Sequence, residues 1–370
     1  MEKLTVQWDV IVIGAGPAGS IAALEIAKSG PSVLLVDKAS FPRTKVCGSC
    51  LNRRSLLLLN QIGINDLENR LGAQIIQKFH FATPQKHVSV AFSGCSLSRE
   101  RFDYQLIQEA VKRGVHFLPN TRAVMGEVEN EARNVTLLNG KTNQIIQSKI
   151  VLIADGLSGS ALAGQHVITE MKPRSRIGIG TIVNEGPAFY ESGTIYMAYS
   201  KEGYVGTVRL EDGRLDVAAA LYPGLIQQGI EASLRKIWNE TGFPEIMFPE
   251  KTHWLGTPSL TRSKNQLGGE RFFIIGDAAA YTEPFTGEGI SWAIASAVAV
   301  APVAIRALSR WSYECLEEWN LKYRREIGRR QIFSKFVTAS LKHPRFIQSI
   351  IPIVDKVSCL TNSIVKWMEQ

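Results

Sequence analysis

One short stretch of the chain has the residue types and spacing to hold a phosphate. Gly14-Ala-Gly16-Pro-Ala-Gly19 follows the apolar run Asp9-Val-Ile-Val-Ile13 and opens a segment, Ser20 to Ser29, with helical spacing at Ile21, Leu24 and Ala27. A second buried-strand pattern, Ser32-Val-Leu-Leu-Val-Asp37, ends in a carboxylate 23 residues after Gly14. The chemistry that suits this arrangement is dinucleotide binding. Gly14 makes a tight turn, Gly16 lets the backbone approach a pyrophosphate, and Gly19 allows close helix packing. The helix N-terminus offers N–H groups to phosphate, and Asp37 accepts hydrogen bonds from a ribose. A glycine-rich turn without a ligand would not need the acid at that strand end.

Two further strands end in acids. Ile150-Val-Leu-Ile-Ala-Asp155-Gly156 is one; the other is Phe272-Phe-Ile-Ile-Gly276-Asp277, followed by Ala-rich text and Glu283-Pro284-Phe-Thr-Gly287-Glu-Gly289. An acid at a strand end can bind a polyol, and a helix N-terminus can stabilise negative charge on a ring. Cys47-Gly-Ser-Cys50 admits a redox disulfide, a zinc half-site or a plain buried cysteine. Zinc needs two more ligands; there is no second CxxC and the six histidines are dispersed, so no metal is expected.

Together the three strand-end elements resemble the FAD-dependent superfamily of aromatic hydroxylases (single-component flavin monooxygenases), geranylgeranyl reductases and flavin-dependent halogenases. The likeness covers about residues 1–305. It implies an α/β fold: a Rossmann-like FAD-binding domain of the para-hydroxybenzoate-hydroxylase type, an inserted antiparallel β-sheet substrate domain and a C-terminal helical region. It implies FAD with its pyrophosphate at Gly14, Gly16 and Gly19 and its adenosine ribose at Asp37. Asp277, beside Gly276, would meet the ribityl chain, and the segment from Pro284 through Gly287 to Gly289 the flavin ring. Asp155 belongs to the middle element, and Arg43 and Arg99 match family positions near the cofactor. Lys45-Val-Cys47-Gly48 is similar to the Lys-x-Cys-Gly of the geranylgeranyl reductases, which puts Cys47 near the flavin as a proton source or pocket residue.

The chain also departs from the family. Gly159 stands where a serine is usual, and the arginine that often follows is missing. No second strand-GxGxxG-helix unit exists, because Gly178-Ile-Gly180 sits in sheet-like text. NAD(P)H, the implied electron donor, would therefore dock transiently without a Rossmann domain of its own. The reductases' Tyr-x-Trp-x-Phe-Pro and the halogenases' Trp-x-Trp-x-Ile-Pro are both absent. The corresponding stretch offers Tyr196, Tyr199 and Tyr204 as pocket residues, with packing on a half-buried strand as their plainer role.

The elements that position these groups divide the chain three ways. Residues 1–74, 99–173 and 268–305 form a discontinuous FAD-binding domain. Residues 75–98 and 174–267 form the antiparallel-sheet substrate domain, with a hairpin turn at Asp212-Gly213, and 306–370 a C-terminal helical segment. At 370 residues, 45% hydrophobic and 21% charged, the chain can build a sizeable core and is no disordered polymer. Five cysteines are too few for a disulfide framework, which points to a reducing, cytoplasmic setting; no targeting signal is read. The stretch between Glu288 and Arg306 is uncharged but Ala/Ser-rich and broken by Pro302, so it reads as a buried helix.

The formal charge of +8 is concentrated in residues 321–370, which hold ten basic and three acidic residues. The nearly neutral remainder excludes a nucleic-acid face spread over the fold. The basic tail reads as a capping helix with a solvated face, or as a peripheral contact with anionic lipid. The oligomeric state is not legible. The expected activity is that of an NAD(P)H-driven, FAD-dependent oxidoreductase acting on an apolar or aromatic small molecule. Hydroxylation through a flavin hydroperoxide stands first and saturation of an isoprenoid or other C=C bond second. A non-catalytic carrier of prenylated ligands on the same fold is a distant third.

Overall fold

The computed structural model describes residues 6–140, 142–173, 175–283, 287–332 and 334–335; Pro284 and the basic tail beyond residue 335 lie outside the described residues. The five apolar runs with strand character pair in parallel, in the order Phe272–Ile274, Thr142–Ile153, Gln7–Ile13, Val33–Val36, His116–Leu118. Ile11, for example, sits between Leu34 and Val151. Val33–Val36, Phe272–Ile274 and the last four residues of Gln7–Ile13 and of Thr142–Ile153 are apolar and buried because both sheet faces are covered there. Helix Pro17–Ala27 packs between Arg99–Lys112 and Gly289–Ser309.

Thr142–Ile153 serves two purposes. Its first half closes an antiparallel meander with Arg122–Glu129 and Ala132–Asn139, and its second half is the central parallel strand that delivers Asp155. Helix Gly289–Ser309, 21 residues long, is long and apolar enough to cross a membrane, yet most of it is buried against the rest of the protein. The chain then continues through Tyr313–Tyr323 and a π-helical turn, Arg324–Gly328.

The second large sheet runs Leu255–Ser259, Ile177–Val183, Leu215–Leu221, Gly203–Arg209, Thr194–Tyr199, Gln74–Ala82, His87–Ser96, Cys50–Asn52. It departs from the all-antiparallel expectation at one place: Thr194–Tyr199 runs parallel to Gln74–Ala82. The chain enters this sheet in separate excursions, and the two that meet there arrive from the same end. The hairpin at Asp212-Gly213 forms, with Gly213 at φ +86°. One face of the sheet is covered by helix Ile230–Thr241, whose Leu234, Ile237 and Trp238 share one core cluster with Val205, Leu215 and Val217. A small sheet of Thr169–Met171, Arg262–Lys264 and Ala280–Tyr281 lies apart from the two large ones.

Candidate cofactor cleft

The three parallel strands that carry the motifs end together, and their glycines are there for different reasons. Gly14 has φ +109°, and a Cβ there would lie 2.3 Å from the Ala154 carbonyl oxygen. A Cβ at Gly19 would lie 1.8 Å from the Gly14 oxygen, so those two glycines let the turn, the helix and the neighbouring strand end close on each other. Gly16 is different: the nearest atom to its missing Cβ is Arg43 Nη2, at 3.9 Å. It faces open cleft at the start of helix Pro17–Ala27, whose N-terminus has no side-chain cap. Uncapped first-turn N–H groups beside an arginine suit an anion. Gly276, at φ +58°, lets its strand end approach Ala18, whose Cβ a side chain there would meet at 2.7 Å.

The cleft consists of two adjoining cavities that share Gly16, Lys45, Ala154 and Gly156 among their walls. The first, about 350 Å³, reaches from Gly14 and Gly16 past Arg43 to Asp37 and Asp155. Asp37 Oδ2 accepts the Ala15 N–H at 2.7 Å and Oδ1 the Ala39 N–H at 2.8 Å, so the carboxylate also fixes both flanking turns. Asp155 Oδ2 accepts the Ala161 N–H at 3.0 Å, while Oδ1 is buried with no hydrogen-bond partner. Burial raises the Asp155 carboxyl above its ordinary range, against the Ala161 N–H and the Lys264 charge. Such an orphaned acceptor calls for a donor from a ligand or water.

The second cavity, about 170 Å³, is apolar on its sheet side, with Phe79, Phe92, Ile195, Met197 and Val208 as walls. Cys47, Arg99, Asp277, Tyr281, Gly287 and Gly289 close the opposite side. Arg99 pairs with Asp103 through both carboxylate oxygens, at 2.8 and 2.7 Å, and hydrogen-bonds Cys47. Burial alone would lower the Arg99 guanidinium, but Asp103 and Cys47 hold it above its ordinary value. Arg43 stands 3.5 Å from the same Asp103. Burial raises the Asp277 carboxyl, opposed by Lys45 and Arg99. Burial, and Arg99 beside it, lower the Lys45 ammonium.

The structure thus brings Gly14, Gly16, Asp37, Arg43, Cys47, Arg99, Asp155, Asp277, Gly287 and Gly289 to one cleft. It does not bring all three tyrosines there. Tyr196 points to the other face of its strand, among His80, Phe189, Tyr190 and Phe243, because side chains alternate and Ile195 and Met197 take the cavity side. Tyr199 and Tyr204 lie on the cavity side, packed with Met197 and Tyr281, but line neither cavity. Both are bonded into a buried ion pair, Arg176–Glu283 at 2.6 Å: Tyr199 to Arg176 and Tyr204 to Glu283. Lys45, Glu283 and the apolar walls were not among the site residues expected from sequence. Lys45 and Glu283 sit inside motifs already singled out, whereas the walls come from strand alternation whose inward face only the assembled sheets decide.

The residues present fit a dinucleotide that continues into a ring: an uncapped helix N-terminus, an acid at each strand end and an apolar chamber beyond. The comparisons agree. The chain is 26% identical over 384 residues to the menaquinone reductase of Mycobacterium tuberculosis (strain ATCC 25618 / H37Rv), covering 97% of this chain and 90% of that protein. It is 23% identical over 387 residues to the digeranylgeranylglycerophospholipid reductase of Methanococcus vannielii, covering 100% and 94%. The myxobacterial chondrochloren halogenase has the same fold, with a TM-score of 0.78 at 20% identity over 98% of this chain and 92% of its own. The family model described as FAD binding domain matches residues 7–316. This chain therefore belongs to the FAD binding domain family and is an FAD-dependent oxidoreductase.

Proposed function

We propose that the protein saturates a carbon–carbon double bond in an isoprenoid lipid, with NAD(P)H as the source of electrons. The observation that carries this reading is the second cavity, in which Cys47 and Asp277 face a wall of Phe79, Phe92, Ile195 and Met197. An alkene has no polar handle, so a site for it must be apolar where the chain lies and offer a proton and a hydride at one end. The similarity to a menaquinone reductase and a digeranylgeranylglycerophospholipid reductase supports saturation ahead of hydroxylation, the reverse of the order reached from sequence.

FAD, when bound, supplies the hydride chemistry. The chain's own groups do the rest. Gly16, the first turn of Pro17–Ala27 and Arg43 would hold the pyrophosphate, and Asp37 the adenosine ribose. Asp277 would hold the ribityl chain, with the backbone from Gly287 to Gly289 against the ring. Cys47 would hold a proton on Sγ at the cavity edge, oriented by Arg99. The apolar walls exclude water and lay the chain across the ring.

The test is anaerobic turnover of the FAD-loaded protein with NADPH and a geranylgeranyl lipid, read by mass spectrometry. A gain of two hydrogens per turnover without O₂ supports saturation. A product that forms only with O₂ and gains an oxygen moves the assignment to hydroxylation.

A further inference from the structure

Strand Leu215–Leu221 places a carboxyl on the face of the second sheet that lines the apolar cavity. Asp216 stands opposite Val208 in the ladder, and Val208 is a cavity wall. Residues directly opposite in an antiparallel pair share a face. On its other side Asp216 is opposite Ile182. A carboxyl flanked by Ile182 and Val208, only 5% exposed, needs a partner. That partner is the hydroxyl of Ser49.

Ser49 is the middle of the Cys47-Gly-Ser-Cys50 turn. It is buried, with φ +48°, a conformation that non-glycine residues adopt only when their surroundings hold them there. Its carbonyl accepts the Leu97 N–H at 2.9 Å, and Cys50 Sγ donates to the Gly48 carbonyl at 2.9 Å. Cys47, Gly48 and Cys50 all line the cavity, and Cys47 is held from the cofactor domain side by Arg99. The turn is therefore gripped from two sides, by Asp216 on the sheet and by Arg99 on helix Arg99–Lys112.

We propose that Asp216 is a positioning residue: through Ser49 it holds the Cys47-Gly-Ser-Cys50 turn in the conformation that presents Cys47 to the apolar cavity. The inference deepens the function proposed above and rests on it only in giving Cys47 a role toward substrate. Burial pushes the Asp216 carboxyl up to about 7, with Ser49, Arg99 and Arg214 pulling down and Glu211 pushing up. Cys50 is a further titratable group against it, and burial raises its thiol well above the ordinary value. Near neutrality Asp216 thus passes from a neutral acid to a buried carboxylate. The new charge draws on Arg99, the same guanidinium that hydrogen-bonds Cys47, so the presentation of Cys47 follows the state of Asp216.

The test needs no substrate. Alkylation of Cys47 by iodoacetamide is followed by peptide mass spectrometry on the FAD-loaded protein across the neutral range. In the wild type the rate shows a step near the Asp216 transition in addition to the thiol's own rise. Asp216→Asn keeps an uncharged acceptor for Ser49 and removes the step. Ser49→Ala removes the link and changes the rate by about threefold to tenfold, the worth of one hydrogen bond. Wild-type rate profiles in both variants, at unchanged circular dichroism and FAD content, overturn the proposal. Should Asp216→Asn not fold, the Ser49→Ala rate decides alone. Failure of the anaerobic assay leaves this test standing, and failure of this test leaves the reaction standing.

Discussion

The two ends of the cleft are built from different materials. The end with Asp37, Gly14 and Gly16 is made of backbone and strand-end acids from one parallel sheet, where the C-terminal ends of the strands open a crevice. The end with Phe79, Ile195, Met197 and Cys47 is made of side chains from the other sheet, the CxxC turn and the start of a core helix. The backbone contacts at Gly14 tolerate no added atom, whereas side-chain walls can be exchanged at constant fold. On the function proposed above, the first end would fix the cofactor and the second would select the substrate.

The sharpest way to break this comparison is at Gly14. Gly14→Ala must move either the turn or the Ala154 carbonyl, 2.3 Å from the new methyl, in a backbone conformation that strains any L side chain. A loss above about 3 kcal/mol is expected, read from the denaturation midpoint, with FAD retention lost alongside it. Unchanged stability would mean that the strand ends do not clamp the turn as described.

Asp216 tests the other end at nearly the same scale. Its carboxyl is raised to about 7 in the folded protein from 3.8, so the folded state binds the proton more tightly than the unfolded one. The stability it contributes is fully present below about pH 4 and is lost as pH rises through about 7. Full expression of a shift of that size is worth about 4 kcal/mol, an upper bound. The difference between wild type and Asp216→Asn in urea denaturation should therefore change across that window; a constant difference would remove the raised carboxyl from the account.

Gly16→Ala is the same chemical change as Gly14→Ala with the opposite expectation. Nothing but Arg43 Nη2 lies within 4 Å of the added methyl, and the residue's φ of −76° suits alanine. Stability should stay within about 0.5 kcal/mol. FAD affinity should fall about tenfold or more, about 1.4 kcal/mol, because the methyl would occupy the approach proposed for the pyrophosphate; equilibrium dialysis of FAD measures it.

The same contrast explains what was legible in the sequence. Gly14 to Gly19 with Asp37 is a local pattern whose spacing is set by one βαβ unit, and the strand ends at Asp155 and Asp277 are each an apolar run closed by an acid beside a glycine, so all three could be read directly. Strands Ile177–Val183 and Leu215–Leu221 announce themselves by composition and by the Asp212-Gly213 turn. The parallel pairing of Thr194–Tyr199 with Gln74–Ala82 joins segments more than a hundred residues apart and leaves no local trace. Strand Cys50–Asn52 is too short to show any period. Glu283 and Arg176 are separated by 107 residues, and Asp216 finds Ser49 only once the two chain excursions are docked.

Tyr196 gives the smallest effect and the most direct check on which face of the second sheet meets substrate. Alternation made Tyr196 and Tyr199 members of opposite faces from the start, but only packing decides which face is inward. In the structure the Tyr196 hydroxyl accepts the Glu191 N–H at 3.3 Å inside an aromatic cluster away from the cleft. Tyr196→Phe should therefore cost about 0.5–1 kcal/mol of stability and leave turnover and KM unchanged. Tyr204→Phe removes a hydroxyl bonded to Glu283, four residues before the cavity residue Gly287 in the sequence, and should alter KM or turnover by more than it alters the melting temperature. If instead Tyr196→Phe changes KM and Tyr204→Phe does not, the apolar cavity is on the wrong side of the sheet, and the substrate assignment built on Phe79, Ile195 and Met197 goes with it.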